Sequence, residues 1–582
     1  MLRGDLADEL GRMIVAAVDA AFSLEISVPE AVIRPALPER GADYQSNVAM
    51  PLAKRLSLPS REVAARILQH FDPGDIVEPP QIGGAGFINL TLRRDWLERQ
   101  ALALARDERL GAATADRRLR VVIDYSSPNA AKEMHAGHLR STIIGDAIHR
   151  LLLFAGHEVI PENHLGDWGT PFGMLIEKLV EDGWSKSADR TIPDMNVFYR
   201  EARARFESDP EFAERARRRV VALQSGDPET LELWGALVAE SVRQLDDLYR
   251  LLGVLLRPED ICPESFYNPV LPQIVEELEA EGLAVPSEGA LCIFVPGFTT
   301  REGDPLPLIV RKRDGGYTYV TTDLAAIRHR TRELGGNYLV YVVGAPQRLH
   351  FEMLFAAARM AGWLDQGARA EHVSFGSVLG PDGRMLRTRA GASIRLLDLV
   401  EEAIDRAASV VAERTELGDE ERERVARAVG IGALKYADLS SDREKDYVFS
   451  WERMLAMDGN TAVYLQYANA RIRSILRKAE AAGKAAKANA VILSAPAERA
   501  LTLKLAQFPA AVQMATDHLQ PHRLCTYLYE TATAFSTFYE TCSVLNAETP
   551  ELRASRLLLC ELASRTITAG LNLLGIEAPE RL

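Results

Sequence analysis

Five cysteines in 582 residues are too few to staple a fold. Cys262, Cys292, Cys525, Cys542 and Cys560 include no pair at the close spacing of a zinc knuckle or a redox motif. Their odd number points to reduced, mostly buried thiols, as expected in the cytosol. No uninterrupted apolar run reaches the ~18 residues that span a bilayer, and Asp5, Asp8 and Glu9 are foreign to a signal peptide. Fixed-period repeats, a low-complexity tail and a Gly-x-x-x-x-Gly-Lys-Ser/Thr phosphate loop are all missing, the last excluding a P-loop ATPase. Positive charge is not in excess either: a net charge of -14 argues against indiscriminate nucleic-acid binding. Local basic clusters remain, at Arg117, Arg118 and Arg120 and again at Arg471, Arg473, Arg477, Lys478, Lys484 and Lys487. An acidic chain with such patches can still hold RNA, with fewer nonspecific contacts.

What is present is the composition of a packed protein, 47% hydrophobic and 26% charged. The length exceeds one core, and domains of about 100–200 residues predict three or four. Residues 1–112 read as a small α+β unit: Leu6, Leu10, Ile14, Val15 and Val18 mark one face of a helix over roughly 5–22, and residues 82–90 read as a glycine turn feeding a strand. Residues 113–400 carry the pattern of a doubly wound, Rossmann-type parallel sheet. Residues 120–124 form a short apolar run suited to a buried strand, 138–155 an apolar helix stopped by Gly156, and 158–160 the next strand. Further strands are predicted at 338–343 and 372–379, and 174–260 is mostly charged amphipathic helix, read as an insertion. Residues 401–455 read as a connecting helical region and 456–582 as an all-α bundle, with long helices over 463–487 and 524–541.

The segment with the strongest chemical signal is Ser127-Pro-Asn-Ala-Ala-Lys-Glu-Met-His-Ala-Gly-His138. It joins the first strand to its helix, at the carboxyl edge where open α/β sheets bind ligands. A helix N-terminus there favours phosphate. His135 and His138 can donate to phosphate oxygens, and Gly137 lets a nucleotide approach the backbone. Taken alone, a His-x-x-His loop reads as an ordinary connection. No third ligand stands at a zinc spacing, so no metal is assigned to it.

The twelve-residue string resembles the His-Ile-Gly-His signature of class I aminoacyl-tRNA synthetases in its arginyl form. Leu139-Arg-Ser-Thr-Ile-Ile-Gly-Asp146 and Asn163-His-Leu-Gly-Asp-Trp-Gly-Thr170 continue the likeness, which runs through nearly the whole chain. Pro171 departs from it, standing where the family usually has glutamine. The second class I signature, a Lys-Met-Ser-Lys-Ser loop, is matched by Gly383-Arg-Met-Leu-Arg-Thr-Arg-Ala-Gly391. Arg387 and Arg389 flank Thr388 there, cations suited to charge developing on a transferred phosphate. The usual second lysine is absent, and Lys132 resembles the lysine thought to compensate. Standing alone, the segment would read as a solvated basic turn.

The resemblance implies that ATP, accompanied by Mg²⁺ and without zinc, lies between His135, Gly137 and His138 on one side and Met385, Leu386 and Thr388 on the other. It implies that Tyr319, Asp323 and Glu264 contact an arginine side chain, whose planar guanidinium suits paired carboxylates. Ser127, Asn129 and Gln347 would hold the amino-acid α-groups. Tyr319 and Asp323 stand four apart, one turn if that stretch is helical. Two RNA-facing sets are implied. Tyr44, Gln45, Asn47, Phe87 and Asn89 fall in a module that contacts a tRNA D-loop, and Tyr464, Gln466, Tyr467, Asn469, Arg471 and Arg473 in an anticodon-binding helix. Tyr44 and Phe87 read equally well as core, and the helix equally well as a bundle element with a solvated basic face. The expected form is a cytoplasmic monomer with arginine, ATP and tRNA(Arg) as partners and none in a membrane. Two rivals remain at this point: a class I synthetase or nucleotidylyltransferase of other specificity, and a tRNA-binding paralogue without catalysis.

Overall fold

The computed structural model describes residues 4–36, 41–130, 132–184, 195–365, 367–386, 394–412, 417–485 and 488–582. The chain forms two compact units, one of Ala115–Leu455 with Leu573–Ile576, the other of Met1–Thr114, Ala456–Asn572 and Glu577–Leu582. None of the described helices is long and apolar enough to cross a membrane.

The first unit is built on four parallel strands in the order Arg369–His372, Tyr338–Tyr341, Arg120–Asp124, Glu158–Glu162. Every residue of Arg120–Asp124 after the first is buried, as an apolar central strand requires. From it the chain runs first to Glu158–Glu162 on one side and later to Tyr338–Tyr341 on the other. The order therefore reverses between the carboxyl ends of Arg120–Asp124 and Tyr338–Tyr341, opening a crevice there. Ser141 spans that crevice: its hydroxyl accepts from the Ser126 N–H at 3.0 Å and donates to the Val342 carbonyl at 2.7 Å.

The helix Ala136–Phe154 lies so close to the sheet that a Cβ on Gly145 would stand 2.3 Å from Tyr125 Cβ. Tyr125 is fully buried and has nowhere to move. A Gly145→Ala protein should accordingly be destabilised by about 1–3 kcal/mol, read as a lower unfolding midpoint in thermal denaturation; an unchanged midpoint would show that the helix can retreat.

The insertion is helical as its charge pattern predicts: Thr170–Glu181, Met195–Ser208, Pro210–Gln224 and Pro228–Leu252. Asp209 and Asp227 cap the last two by accepting backbone N–H groups. The predicted strand over 372–379 is broken in two. Val378–Leu379 leaves the main sheet and pairs with Tyr447–Val448. The break falls at Gly376, where a Cβ would meet the Asp446 carboxylate at 2.6 Å and the chain instead leans on residues 445–447. An antiparallel sheet of Ala284–Ser287, Ala290–Thr299 and Pro305–Arg311 was not legible beforehand.

In the second unit, four short antiparallel strands, Ile33–Pro35, Tyr44–Ser46, Phe87–Leu90 and Gln81–Gly83, pack with the helix Leu6–Phe22. A bundle of helices that includes Ala462–Ala481, Pro496–Ala506 and Pro521–Thr541 completes it. Arg499 grips Asp43 in a fork at 2.7 and 2.6 Å, and Arg565 donates to the carbonyls of Ala105 and Asp107, tying the bundle to the N-terminal segment. The helix predicted over 463–487 ends at Ala481 because Gly483 turns the chain at φ 62°. Lys487 lies outside the described residues.

Candidate active site

The strand Arg120–Asp124 feeds two consecutive left-handed residues, Ser126 at φ 71° and Ser127 at φ 43°. Such a pair is strained for side-chain-bearing residues and persists only where neighbours hold it. They do. Ser126 Oγ meets Thr142 and Tyr249 at 2.8 and 2.7 Å; the Ser127 N–H donates to Asn163 Oδ1 at 2.9 Å; Ser127 Oγ donates to Asp124 at 2.6 Å. The loop then runs beside Gly166, where a Cβ would stand 2.3 Å from Asn129 Oδ1. That glycine is the reason Asn129 can lie flat against the neighbouring segment.

At the helix start, the two signature histidines have their rings stacked, centroids 3.9 Å apart. The Gly137 N–H donates to His135 Nδ1 and the His135 N–H to His138 Nδ1, both at 3.1 Å. Since both Nδ1 atoms accept, each neutral ring carries its hydrogen on Nε2. Burial, followed by the nearby His135 and Lys132, pushes His138 down to about 3, and burial and Lys132 lower His135 as well. Neutral imidazoles that donate from Nε2 result, at the end of a helix that favours anions. Lys132 holds its ammonium 4.8 Å from the Tyr199 ring centroid. Residues Ile394 and Leu396 hydrogen-bond to Ala136 and Met134, so the stretch after the second signature runs alongside the first. Met385 is half exposed and pairs with Leu379, and Leu386 donates to the Val378 carbonyl. Arg387, Thr388 and Arg389 lie outside the described residues.

Acidic side chains gather beside this edge. Asp323 is on the helix Tyr319–Arg328, so Tyr319 and Asp323 are indeed a turn apart. Asp323 Oδ2 lies 2.7 Å from His350 Nε2 and Oδ1 4.0 Å from His164 Nε2. The Cys262 carbonyl can only accept, so the 3.2 Å contact from His164 Nδ1 places a hydrogen there. Glu264 is anchored through its N–H to the Leu165 carbonyl. Burial raises its carboxyl to about 6; His164 opposes the shift, and Asp323 and Asp167 add to it. Asp167 itself is fully buried and accepts from the Ser265 N–H and hydroxyl at 2.9 and 2.5 Å. Glu264 and Tyr319 line one cavity of about 780 Å³, walled also by Trp168, Lys312 and Tyr317. Gln347 is exposed on the turn Ala345–Gln347, which starts the helix that carries His350. His164, His350 and Asp167 were not singled out from the sequence as site residues. Only the neighbourhood of His164 and Asp167 in a quoted motif hinted at them.

A consequence for pH follows from Glu264. A cation in this pocket needs the ionised carboxylate, which is present above about 6 and lost below it. Affinity for a guanidinium ligand should therefore be constant at neutral pH and fall as pH drops through 6, approaching tenfold per unit. Measuring the affinity for a guanidinium compound from pH 5 to 8 in the intact protein and in Glu264→Gln checks this, since the variant should lose that inflection.

The two RNA-facing sets divide. Tyr44 is buried at 3% exposure, and its hydroxyl accepts from Gln507 at 3.1 Å; it belongs to the core and cannot stack on a base. Gln45 and Asn89 are half-buried strand partners bonded to each other at 3.1 Å. Phe87 is half-buried, and Asn47 keeps an Oδ1 with no hydrogen-bond partner among the described residues. On the helix Ala462–Ala481, Gln466 and Asn469 are fully buried. Their amides donate to the carbonyls of Glu577 and Pro579, and Arg473 faces Glu580 at 3.8 Å. The segment 577–580 thus covers Gln466 and Asn469, which withdraws them from that role, while Arg473, its side chain 34% exposed, stays partly open beside Glu580. Tyr464, Tyr467 and Arg471 share the other, half-open face. Arg471 donates to the Tyr467 hydroxyl at 3.1 Å and lies over that ring and the Tyr539 ring at 4.9 and 5.6 Å.

Comparison with known proteins bears on the whole chain. Residues 100–451 match the catalytic domain of class I (R) tRNA synthetases, 465–582 the DALR anticodon binding domain, and 8–92 the arginyl tRNA synthetase N terminal domain. The arginine–tRNA ligase of Thermobifida fusca is 52% identical over 575 residues, covering 98% of this chain and 99% of that protein. That of Synechococcus elongatus is 48% identical, covering 97% and 98%. Among solved structures, the arginyl-tRNA synthetase of Plasmodium falciparum superposes with a TM-score of 0.86 at 28% identity over the full length of both chains. The Thermus thermophilus enzyme gives 0.82 at 26%, covering 99% of this chain and 100% of that one. A strand-to-helix turn carrying two neutral imidazoles, acids gathered at its side, and these full-length likenesses together place the chain in the arginyl-tRNA synthetase family of class I.

Proposed function

We propose that this chain is an arginine–tRNA ligase: it activates arginine with ATP to arginyl-adenylate and transfers the arginyl group to the 3′-terminal adenosine of tRNA(Arg). The observation that carries the reading is the pair of stacked, neutral imidazoles at the sheet switch point, donating from Nε2 at a helix N-terminus, with Glu264 and Asp323 alongside.

In the first step a carboxylate oxygen of arginine attacks the α-phosphorus of ATP in line; the bond from that phosphorus to the bridging oxygen breaks, and pyrophosphate leaves. His135 and His138 donate to phosphate oxygens as charge shifts onto the leaving group, and Lys132, with Arg387 and Arg389, balances it. Gly137 leaves room for the nucleotide, and Met385, Leu386 and Thr388 bound its other side. Neutral donors suit this role, because they need not surrender a proton to the phosphate. In the second step a hydroxyl of the terminal adenosine, the 2′ in class I, attacks the adenylate carbonyl and AMP departs. Mg²⁺ enters as the counter-ion of the ATP substrate.

Asp323 and Glu264 select the guanidinium, Tyr319 lies against it, and Ser127, Asn129 and Gln347 hold the α-groups. The segments 1–112 and 456–582 bind the D-loop and the anticodon arm, through Gln45, Asn47, Phe87 and Asn89 and through Tyr464, Tyr467, Arg471 and Arg473. Residues 113–400 catalyse, and 401–455 connect. The protein acts as a cytoplasmic monomer. Arginine-dependent exchange of labelled pyrophosphate into ATP, with and without tRNA(Arg), tests the reading across all amino acids. Exchange with arginine alone among them supports it; no arginine signal in the presence of tRNA sinks the specificity.

A further inference from the structure

Four carboxylates, Asp124, Asp167, Glu264 and Asp323, lie around His164, and a fifth, Glu162, shares a partner with Asp124; of the five, Glu264 lines the cavity described above. A single guanidinium can pair with two. The others must be satisfied from within, or they would compete for the substrate's charge. Asp167 is spent on Ser265. Asp124 and Glu162 are spent on a resident guanidinium, Arg330, which is 1% exposed and donates to Glu162 at 2.5 Å and to Asp124 at 2.8 Å. Tyr341 lies against it, its ring centroid 4.9 Å from the guanidinium carbon.

Arg330 also reaches the substrate side. One Asp124 oxygen takes the Arg330 fork, and the other accepts from Ser127 Oγ at 2.6 Å. Ser127 Oγ in turn accepts the His164 N–H at 3.2 Å. Through Asp124, Arg330 therefore adds an anchor to Ser127 beside those given above and, through Ser127 Oγ, to the segment bearing His164. Burial alone would raise the Asp124 carboxyl; Arg330, with His164 and Ser127, reverses this and holds it below the ordinary range.

We infer that Arg330 is a positioning and specificity residue for arginine: an internal copy of the substrate's own head group. It occupies Asp124 and Glu162 so that Asp323 and Glu264 are left to face the incoming guanidinium, and it helps to hold the turn that receives the α-groups. The substrate thereby has one register available, with no second carboxylate pair deeper in the pocket. Lysine cannot replace it, because an ammonium lacks the planar fork that reaches two carboxylates at once.

This inference rests on the reading of Asp323 and Glu264 given above, and the test separates the two. Arg330→Lys keeps the buried charge, and Asp124→Asn is isosteric. Aminoacylation is measured with arginine and ATP varied separately, alongside thermal midpoints. The expected result in both variants is an arginine KM raised about tenfold, with the ATP KM within about twofold of the parent and folding retained. Unchanged arginine KM values, or arginine and ATP constants rising together, overturn the inference. Loss of folding in both variants assigns the cluster to the fold alone and overturns it too. Asp323→Asn is the control. Should it leave the arginine KM unaltered, the pocket reading itself fails; should it raise the KM while the Arg330 and Asp124 variants do not, only the role of Arg330 falls.

Discussion

Replacing His138 with alanine should lower arginine-dependent pyrophosphate exchange by about 10²–10³-fold, the usual loss when one preorganised donor to developing charge is removed. The effect should fall on kcat, with binding of tRNA(Arg) intact, because His138 stands at the helix start of the first unit and the RNA-binding segments proposed above lie in the second. His138 has two jobs: Nδ1 accepts the His135 N–H, and Nε2 is left to donate. Conservative replacements separate them. Glutamine, whose amide reaches toward the Nε2 position, should recover part of the rate, whereas asparagine, which matches Nδ1, should restore only the cap. A His138→Ala protein with parental exchange activity would remove the imidazole from the site. The rate should also be flat with pH across the neutral range as far as this group is concerned, since burial keeps it uncharged down to about 3.

The second large effect is expected at Asp323. Asp323→Asn keeps the shape and removes the charge, so kcat/KM for arginine should fall roughly 10²–10³-fold, in line with about 3–5 kcal/mol for unpairing a desolvated charge. The lower part of that range is favoured because a quarter of the Asp323 side chain remains open to solvent in the empty site. The same substitution should narrow the discrimination between arginine and citrulline, which has the same outline and no charge. Competition by citrulline in the exchange assay measures it. Equal discrimination in parent and variant would show that another acid reads the charge.

Much of this site was legible because its phosphate half is contiguous. A single string from Ser127 to His138 contains the strand end, the turn and the helix start, and strand-to-helix periodicity locates it without tertiary knowledge. The acidic half is scattered. Glu264, His164, His350 and the stretch that holds Asp323 and Arg330 are far apart in the sequence, and nothing in the local pattern distinguishes a carboxylate in a pocket from one on a surface. Arg330 sits in a run of charged residues, His329 to Glu333, that reads as solvated, yet folding inserts that one guanidinium between two strand-end acids. Tyr44, Gln466 and Asn469 failed in the opposite direction. Polar and aromatic side chains that would suit RNA suit the protein's own backbone equally well, and Gln507 and residues 577–579 took them.

That last arrangement constrains how the helix Ala462–Ala481 can diverge. Toward the covering segment Gln466 and Asn469 donate to main-chain carbonyls, while Asn469 Oδ1 accepts from Ser564 at 2.7 Å, so that segment is free to change composition while its path is fixed. Either amide can be exchanged only together with a shift of that path. Under the RNA-binding role proposed above, adaptation to a different transfer RNA is channelled onto the open side, to Tyr464, Tyr467 and Arg471, and homologues with altered decoding should differ there while keeping the amide pair.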